Sequence, residues 1–466
     1  MTLLSYTHPD GGLIEEAAWC DPEAVFAPHA ENAGAIWLDS PPTDHPLARY
    51  SFILTDPYKV VRCDAAGDPL KPLEEALAAA GDIWHGLPDG LPPFRGGAVG
   101  FFAYELAQGF ADFAPNAETL FVPPAPDDPP LMQVGLYGHG LAFDHHARRC
   151  FIFATGLPAA KRAQQARNDV AMWRDRLKTC RPLPQPAAIQ TAPPRSNMGQ
   201  AGFEAGVERI VAHILDGDVF QANLAQCLSA PLALENAFDF YRRLRRTAPA
   251  PFSAFMRFDD FAICSASPER FLARRNGRIE TRPIKGTAAR ACDETADAQA
   301  RAALEASAKD RAENIMIVDL MRNDLAKCCL DGSVRVETLC AVESFSNVHH
   351  LVSTITGQER PDARPLDVLR ACFPGGSITG APKRRAMEII ASLEPTRRGP
   401  YCGAIGFIGF DGALETSIAI RTALVGGGSV RFHAGGGIVA DSRAAAEYAE
   451  TRDKAAGFLA ALGATQ

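Results

Sequence analysis

The stretch FSAFMRFDDFAICSASPERFLA, residues 252–273, sets the fold class. Short apolar runs joined by a brief polar turn read as a strand hairpin, and strands joined by so short a turn pair antiparallel. Similar hairpin texture appears at Gly277–Arg282, Ile405–Phe410 and Ser417–His433. Helical patterns lie between them, at Gly202–Asp216, Glu294–Leu325, Pro365–Ala371, Pro382–Leu393 and Ala444–Leu462. The expectation is an α+β protein with mostly antiparallel pairing.

Upstream, residues 1–180 are rich in Pro and Gly and read as strands and turns, closing with a helix at Arg167–Lys178. Residues 181–198, RPLPQPAAIQTAPPRSNM, hold five prolines and few large apolar side chains, and read as a linker. The expected division is therefore 1–180, a linker at 181–198, and a main region at 199–466. The 466 residues are 47% apolar, enough for a large core, and carry a net charge of −8. No basic stripe is present, which argues against nucleic acid as a partner. The short cluster at Arg242–Arg246 reads as a solvated helix face. Twelve scattered cysteines without a C-x-x-C pair point to a reduced, cytoplasmic protein. No signal peptide and no apolar run long enough for a membrane span is expected.

Several residues stand out chemically. Asp310 and Glu313 are three apart, as are Glu447 and Glu450, so each pair shares a helix face. Two such faces brought together would form an oxygen-only cage suited to Mg²⁺; taken singly, each pair is ordinary surface charge. Glu313 is followed at once by Ile315–Val318, which argues for burial and hence for a partner. PGGSITGAPK (Pro374–Lys383) and AGGGIVADS (Ala434–Ser442) are glycine-rich, the second read as following a strand, where Gly435, Gly436 and Gly437 let backbone N–H groups approach an anion. Neither matches a nucleotide-binding fingerprint. Glu269 follows the apolar run Phe261–Ala266. Arg421 reads as a strand residue on the face of Ala419 and Ala423, buried and suited to a carboxylate. Lys285, in TRPIKGTAAR, is either an edge-strand lysine that discourages sheet pairing or an amine placed to attack.

SPERF, RPIKGT, DRAENIMIVDLMRNDL, PGGSITGAPK, SIAIRT and AGGGIVADS, in this order, strongly resemble the chorismate-utilising enzymes, as does FRGGAVGFFAYE (Phe94–Glu105) further upstream. The resemblance implies two large, mainly antiparallel β-sheets packed as a sandwich with helices outside. It implies chorismate as substrate and Mg²⁺ held by Glu313 and Glu450, with Asp310 and Glu447 in or near the shell. Arg421, Tyr401 and the N–H groups of Gly435–Gly437 look like the pocket for the enolpyruvyl carboxylate, and Glu269 like the general acid for the departing hydroxyl. Thr287 and His350 match active-site positions of the family.

Members that add water carry a lysine where FQANLAQ here has Gln221, so hydroxylation is not expected. Anthranilate-forming members resemble RPIAGT, with alanine where Lys285 stands; members that place an amine at the ring 4-position carry the lysine, which forms a covalent adduct. The resemblance thus implies 4-amination toward para-aminobenzoate and folate, with anthranilate synthesis as the alternative, and a non-catalytic chorismate-binding regulator as a reading of another class. No glutaminase-type G-x-C-x-G stretch is present, so a separate glutamine amidotransferase subunit is expected to supply ammonia. Trp37-Leu38-Asp39-Ser40 corresponds, with two departures, to the Leu-Leu-Glu-Ser stretch of tryptophan-inhibited relatives, making Ser40 a candidate effector residue.

Overall fold

In the computed structural model, residues 5–41, 45–64, 67–81, 83–84, 90–345 and 348–464 are described. Among these, the strands form two large sheets, one of thirteen strands and one of ten, with every adjacent pair antiparallel. This is the expected α+β sandwich.

The alternation of side chains explains the layers. In the fully buried strand Phe261–Ser267, Phe261 and Ile263 join the core between the sheets, while Ala262, Cys264 and Ala266 join a second core on the opposite face. Period-2 geometry sends successive side chains to opposite sides, so a strand covered on both faces is apolar throughout. Rings meet across the sandwich: Phe52 of the larger sheet lies 5.8 Å from Phe407 of the smaller, and Phe261 lies 5.9 Å from Phe101. The outer face of the larger sheet is covered by the helices Arg162–Lys178, Ala237–Thr247 and Ala444–Ala461, through Trp173, Tyr241 and Phe458. Helix Ala308–Ala326 contributes Ile317, Met321 and Leu325 to the inter-sheet core.

Both sheets draw strands from either side of residues 181–198. Ile36–Asp39 pairs with Phe252–Arg257, and Gly97–Phe102 pairs with Ala404–Gly409. The helix expected over Glu294–Leu325 is two helices, Glu294–Ala306 and Ala308–Ala326. Ser307 separates them in an extended conformation, and its hydroxyl caps the second by accepting the Asp310 N–H at 3.3 Å. The cluster Arg242–Arg246 is not a wholly solvated face: Arg242 is buried and bonds Glu23 at 2.6 Å, because the helix packs its arginines onto acids of the N-terminal strands and helix. No helix among the described residues is long and apolar enough to cross a membrane.

One structural feature positions the site. Strand Phe261–Ser267 belongs to the larger sheet and Arg270–Arg275, two residues later, to the smaller. Their partners make the same crossing in reverse, from Leu414–Ile418 to Thr422–Gly426. A two-stranded ribbon thus turns a corner from one sheet into the other. The corner is tied by Ile418 N–H to Glu269 O at 3.0 Å, Ala266 N–H to Arg421 O at 2.9 Å and Ser267 Oγ to Ile418 O at 2.6 Å.

Candidate active site

The corner carries Glu269 in one link of the ribbon and Arg421 in the other. Arg421 is not a strand residue, as alternation suggested. It lies in the three-residue link 419–421 with φ of 49°, a left-handed backbone uncommon for a residue other than glycine. Such an outlier motivates a functional role for the residue. Burial alone pulls its guanidinium below the ordinary arginine range, and no described residue forms an ion pair with it.

Glu269 is 4% exposed, and burial raises its carboxyl above the usual range against smaller opposing effects from the Ser377 hydroxyl and Lys285. The Ile284 N–H approaches its Oε1 at 3.4 Å. Lys285 stands in Ile284–Ala289, a strand at the end of the smaller sheet, so it is an edge-strand lysine. Its amine nevertheless turns inward and donates to the Ser377 carbonyl at 2.7 Å. Burial lowers its pKa, while Glu269 and Glu313 act the other way.

Gly286 makes this placement possible. The pairing with Val348–Gln358 skips it: Lys285 faces Leu351, and Thr287 faces His350. Its φ is +76°, and a Cβ there would fall 2.9 Å from Asp310 Cβ. The extra residue is a β-bulge that re-aims its neighbours. Thr287 Oγ1 meets His350 Nδ1 at 2.9 Å. Burial, with Arg421 next, lowers His350 to about 3, so its ring is neutral at physiological pH.

The four acidic residues come from two helices, as expected: Asp310 and Glu313 from Ala308–Ala326, Glu447 and Glu450 from Ala444–Ala461. Burial raises the carboxyls of Glu313 and Glu447, and each is pushed further by neighbouring acids. Burial also acts to raise Glu450, but Lys454, 2.6 Å away, together with Lys309 and Lys285 outweighs it and leaves the carboxyl below the ordinary range. Among the described residues no three His, Cys, Asp or Glu side chains form a ready-made metal cage. The donor chemistry, all carboxylate oxygen, still suits a hard cation. Gly436 lies against these groups, since a Cβ there would make ordinary contact with Glu450 Oε1 at 3.5 Å and Glu447 Oε2 at 3.7 Å.

Gly435–Gly437 do not follow a strand. They lie within Ser429–Ile438, opposite Ala225, Leu224 and Asn223. The neighbouring strand Thr422–Gly426 reaches only to Phe432 in its pairing, so that edge of the glycines is unpaired by it. Tyr401 is 8% exposed and stacks on His433 with centroids 5.0 Å apart. Gln221 is fully buried; its Nε2 donates to Asn223 Oδ1 at 3.4 Å, and its Oε1 has no partner among the described residues. Ser40 lies apart, lining a cavity of about 320 Å³ between the sheets with Asp39, Tyr50, Arg270 and Phe407. Its hydroxyl is engaged by Pro251 O at 2.6 Å.

Sequence reasoning missed the residues that hold these groups. Lys383 bonds Pro374 O at 2.8 Å and Asp324 at 2.7 Å, fixing one end of the glycine-rich loop. Arg398 bonds Ile378 O at 2.9 Å, and Glu105 receives the N–H groups of Arg398 and Gly399 at 2.8 and 3.0 Å. Glu105, Asp324 and Lys383 lie inside the motifs already quoted, which was the available signal.

The chain belongs to the chorismate binding enzymes, whose family model matches residues 33–460. It is 41% identical over 434 residues to aminodeoxychorismate synthase component 1 of Escherichia coli, covering 90% of this chain and 91% of that protein. It is 38% identical over 450 residues to anthranilate synthase component 1 of Streptomyces coelicolor, covering 93% and 84%. Anthranilate synthase component I from Streptococcus pneumoniae superposes with a TM-score of 0.76 at 31% identity, covering 89% of this chain and 93% of that one.

Proposed function

We propose that this chain is the aminating component of an aminodeoxychorismate synthase, converting chorismate and ammonia to 4-amino-4-deoxychorismate. The observation that carries the reading is Lys285: an inward-turned amine, depressed in basicity by burial, beside a buried protonatable Glu269. Glu269 protonates the 4-hydroxyl as it leaves as water, and the neutral Lys285 amine bonds to the ring 2-position as both double bonds of the ring diene shift. Ammonia then adds at the 4-position, both double bonds shift back, and the lysine amine departs, its proton balance restored through solvent. The net change is chorismate plus ammonia giving product plus water.

Arg421 and Tyr401, with the open N–H edge of Gly435–Gly437, would hold the enolpyruvyl carboxylate. Thr287 and His350, bonded to each other, would line the ring. Glu313 and Glu450, with Asp310 and Glu447, would hold Mg²⁺, which when bound supplies positive charge for the ring carboxylate. The name "component 1" of the relatives supports a partner, and we assign it as a glutamine amidotransferase that supplies ammonia. The Ser40 cavity would take a small effector. Anthranilate synthesis is the second reading, because anthranilate synthases share this fold and a comparable identity; Lys285 weighs against it.

Mass identification of the product from chorismate and ammonium tests the reading. A 4-amino product is expected; anthranilate as the main product would overturn it. EDTA should abolish turnover, and full activity in EDTA would remove the Mg²⁺ assignment.

A further inference from the structure

Ser377 sits between the two groups that the proposed chemistry uses. Its main-chain carbonyl accepts the Lys285 amine at 2.7 Å, and its hydroxyl acts against burial in holding down the Glu269 carboxyl. A carbonyl that orients a nucleophile must itself be held. The loop that carries it has only one short 3-10 turn, Gly376–Ile378, of its own.

Asn223 holds it. Asn223 Nδ2 donates to Ser377 O at 3.1 Å, and the Asn223 backbone N–H donates to Thr379 O at 2.9 Å. One residue thus grips the loop on both sides of Ile378. On its other side Asn223 Oδ1 accepts from Gln221 Nε2 at 3.4 Å. Gly437 leaves room for this amide pair: a Cβ there would lie 2.1 Å from Gln221 Nε2 and 3.1 Å from Asn223 Oδ1. A chain of polar contacts therefore runs from Gln221 through Asn223 and the Ser377 carbonyl to Lys285.

We propose that Asn223 is a positioning residue for Lys285, fixing the Ser377 carbonyl that orients the amine for attack on the ring. The inference rests on the Lys285 reading above. An amine with one N–H committed to a fixed acceptor has fewer orientations of its lone pair, and reaction rates depend steeply on that alignment. Asn223→Leu removes the amide at similar size and keeps the backbone bond to Thr379. Asn223→Asp keeps the shape and the acceptor for Gln221 but presents no N–H to Ser377.

In both variants kcat for the 4-amino product should fall roughly 10- to 100-fold, with KM for chorismate changed less than about twofold. The rate of Lys285 adduct formation without ammonia, read by intact mass, should fall by the same factor. A purely structural role predicts that the isosteric Asp variant is normal, and normal kcat in it would overturn the proposal. Crystal structures of wild type and Asn223→Leu give a readout free of turnover. The Lys285 amine should move beyond about 3.5 Å from Ser377 O in the variant; an unmoved amine would also overturn the proposal. If the wild type yields no 4-amino product, the functional reading falls, while the crystallographic comparison still decides what Asn223 does.

Discussion

Two clusters of charge lie inside this chain, one buried around Arg398 and one at the sheet corner where Arg421 and Lys285 are half-buried, and they are built in opposite ways. Around Arg398 the charges are paired. Its guanidinium donates to both Glu394 oxygens, at 2.8 and 2.7 Å, and to Ile378 O at 2.9 Å. Glu394 also accepts the Ala225 N–H at 2.9 Å. At the sheet corner the groups are desolvated without such compensation. Arg421 has no ion-pair partner among the described residues, and Lys285 rests on a single carbonyl. Buried charge normally requires a partner. The first cluster finds its partners within the chain and fixes structure; the second has the form of a site whose partners arrive with a ligand.

Breaking the corner should remove chemistry and leave the fold. Lys285→Ala should lower 4-amino product by about 10⁴-fold, with 2-amino product or anthranilate in traces, and an adduct of chorismate less one water should vanish from the mass spectrum. Lys285→Arg should not rescue, since a guanidinium stays protonated. Wild-type rate and product from Lys285→Ala would reduce this lysine to edge protection. Glu269→Gln should follow with a loss of roughly 10²- to 10³-fold at unchanged thermal midpoint; a variant as fast as wild type would remove the acid assignment.

Breaking the paired cluster should do the reverse. Arg398→Met strands a buried Glu394 and should destabilise by about 3–5 kcal/mol in denaturant titration. Adding Glu394→Leu should recover most of that. Arg421→Met, by contrast, should leave stability unchanged or raise it by about 1 kcal/mol, while KM for chorismate rises sharply. If both arginine variants destabilise alike, the contrast between the clusters does not hold.

A pH-dependent effect sharpens the comparison further. Burial raises Glu105 from 4.5 to about 7 despite the two backbone N–H groups it accepts. Its folded form favours the neutral acid. The associated stability is therefore full below about 4.5 and is lost as pH rises through 7. Over that window wild type should lose up to about 3 kcal/mol relative to Glu105→Gln, at about 1.4 kcal/mol per unit. Parallel stability curves for the two proteins would contradict the assignment.

The sequence by itself determined what is local or repeated in motif. Alternating apolar runs specified antiparallel strands, and i/i+3 spacing placed Asp310 with Glu313 and Glu447 with Glu450 on shared helix faces. Ordered motifs carried the family and the lysine at 285. Only the tertiary structure decided the rest. Gly435–Gly437 belong to a strand because Leu224 and its neighbours pair with them from more than two hundred positions away. Arg421 turns left-handed where a ribbon passes between sheets, and no glycine or asparagine marks that turn. Asn223 and Ser377 meet across 154 positions, and Glu105 receives the Arg398 N–H across 293. Periodicity records which face a residue takes within its own element. Which elements meet is set by the packing of two sheets over one core, and that is a property of the whole chain.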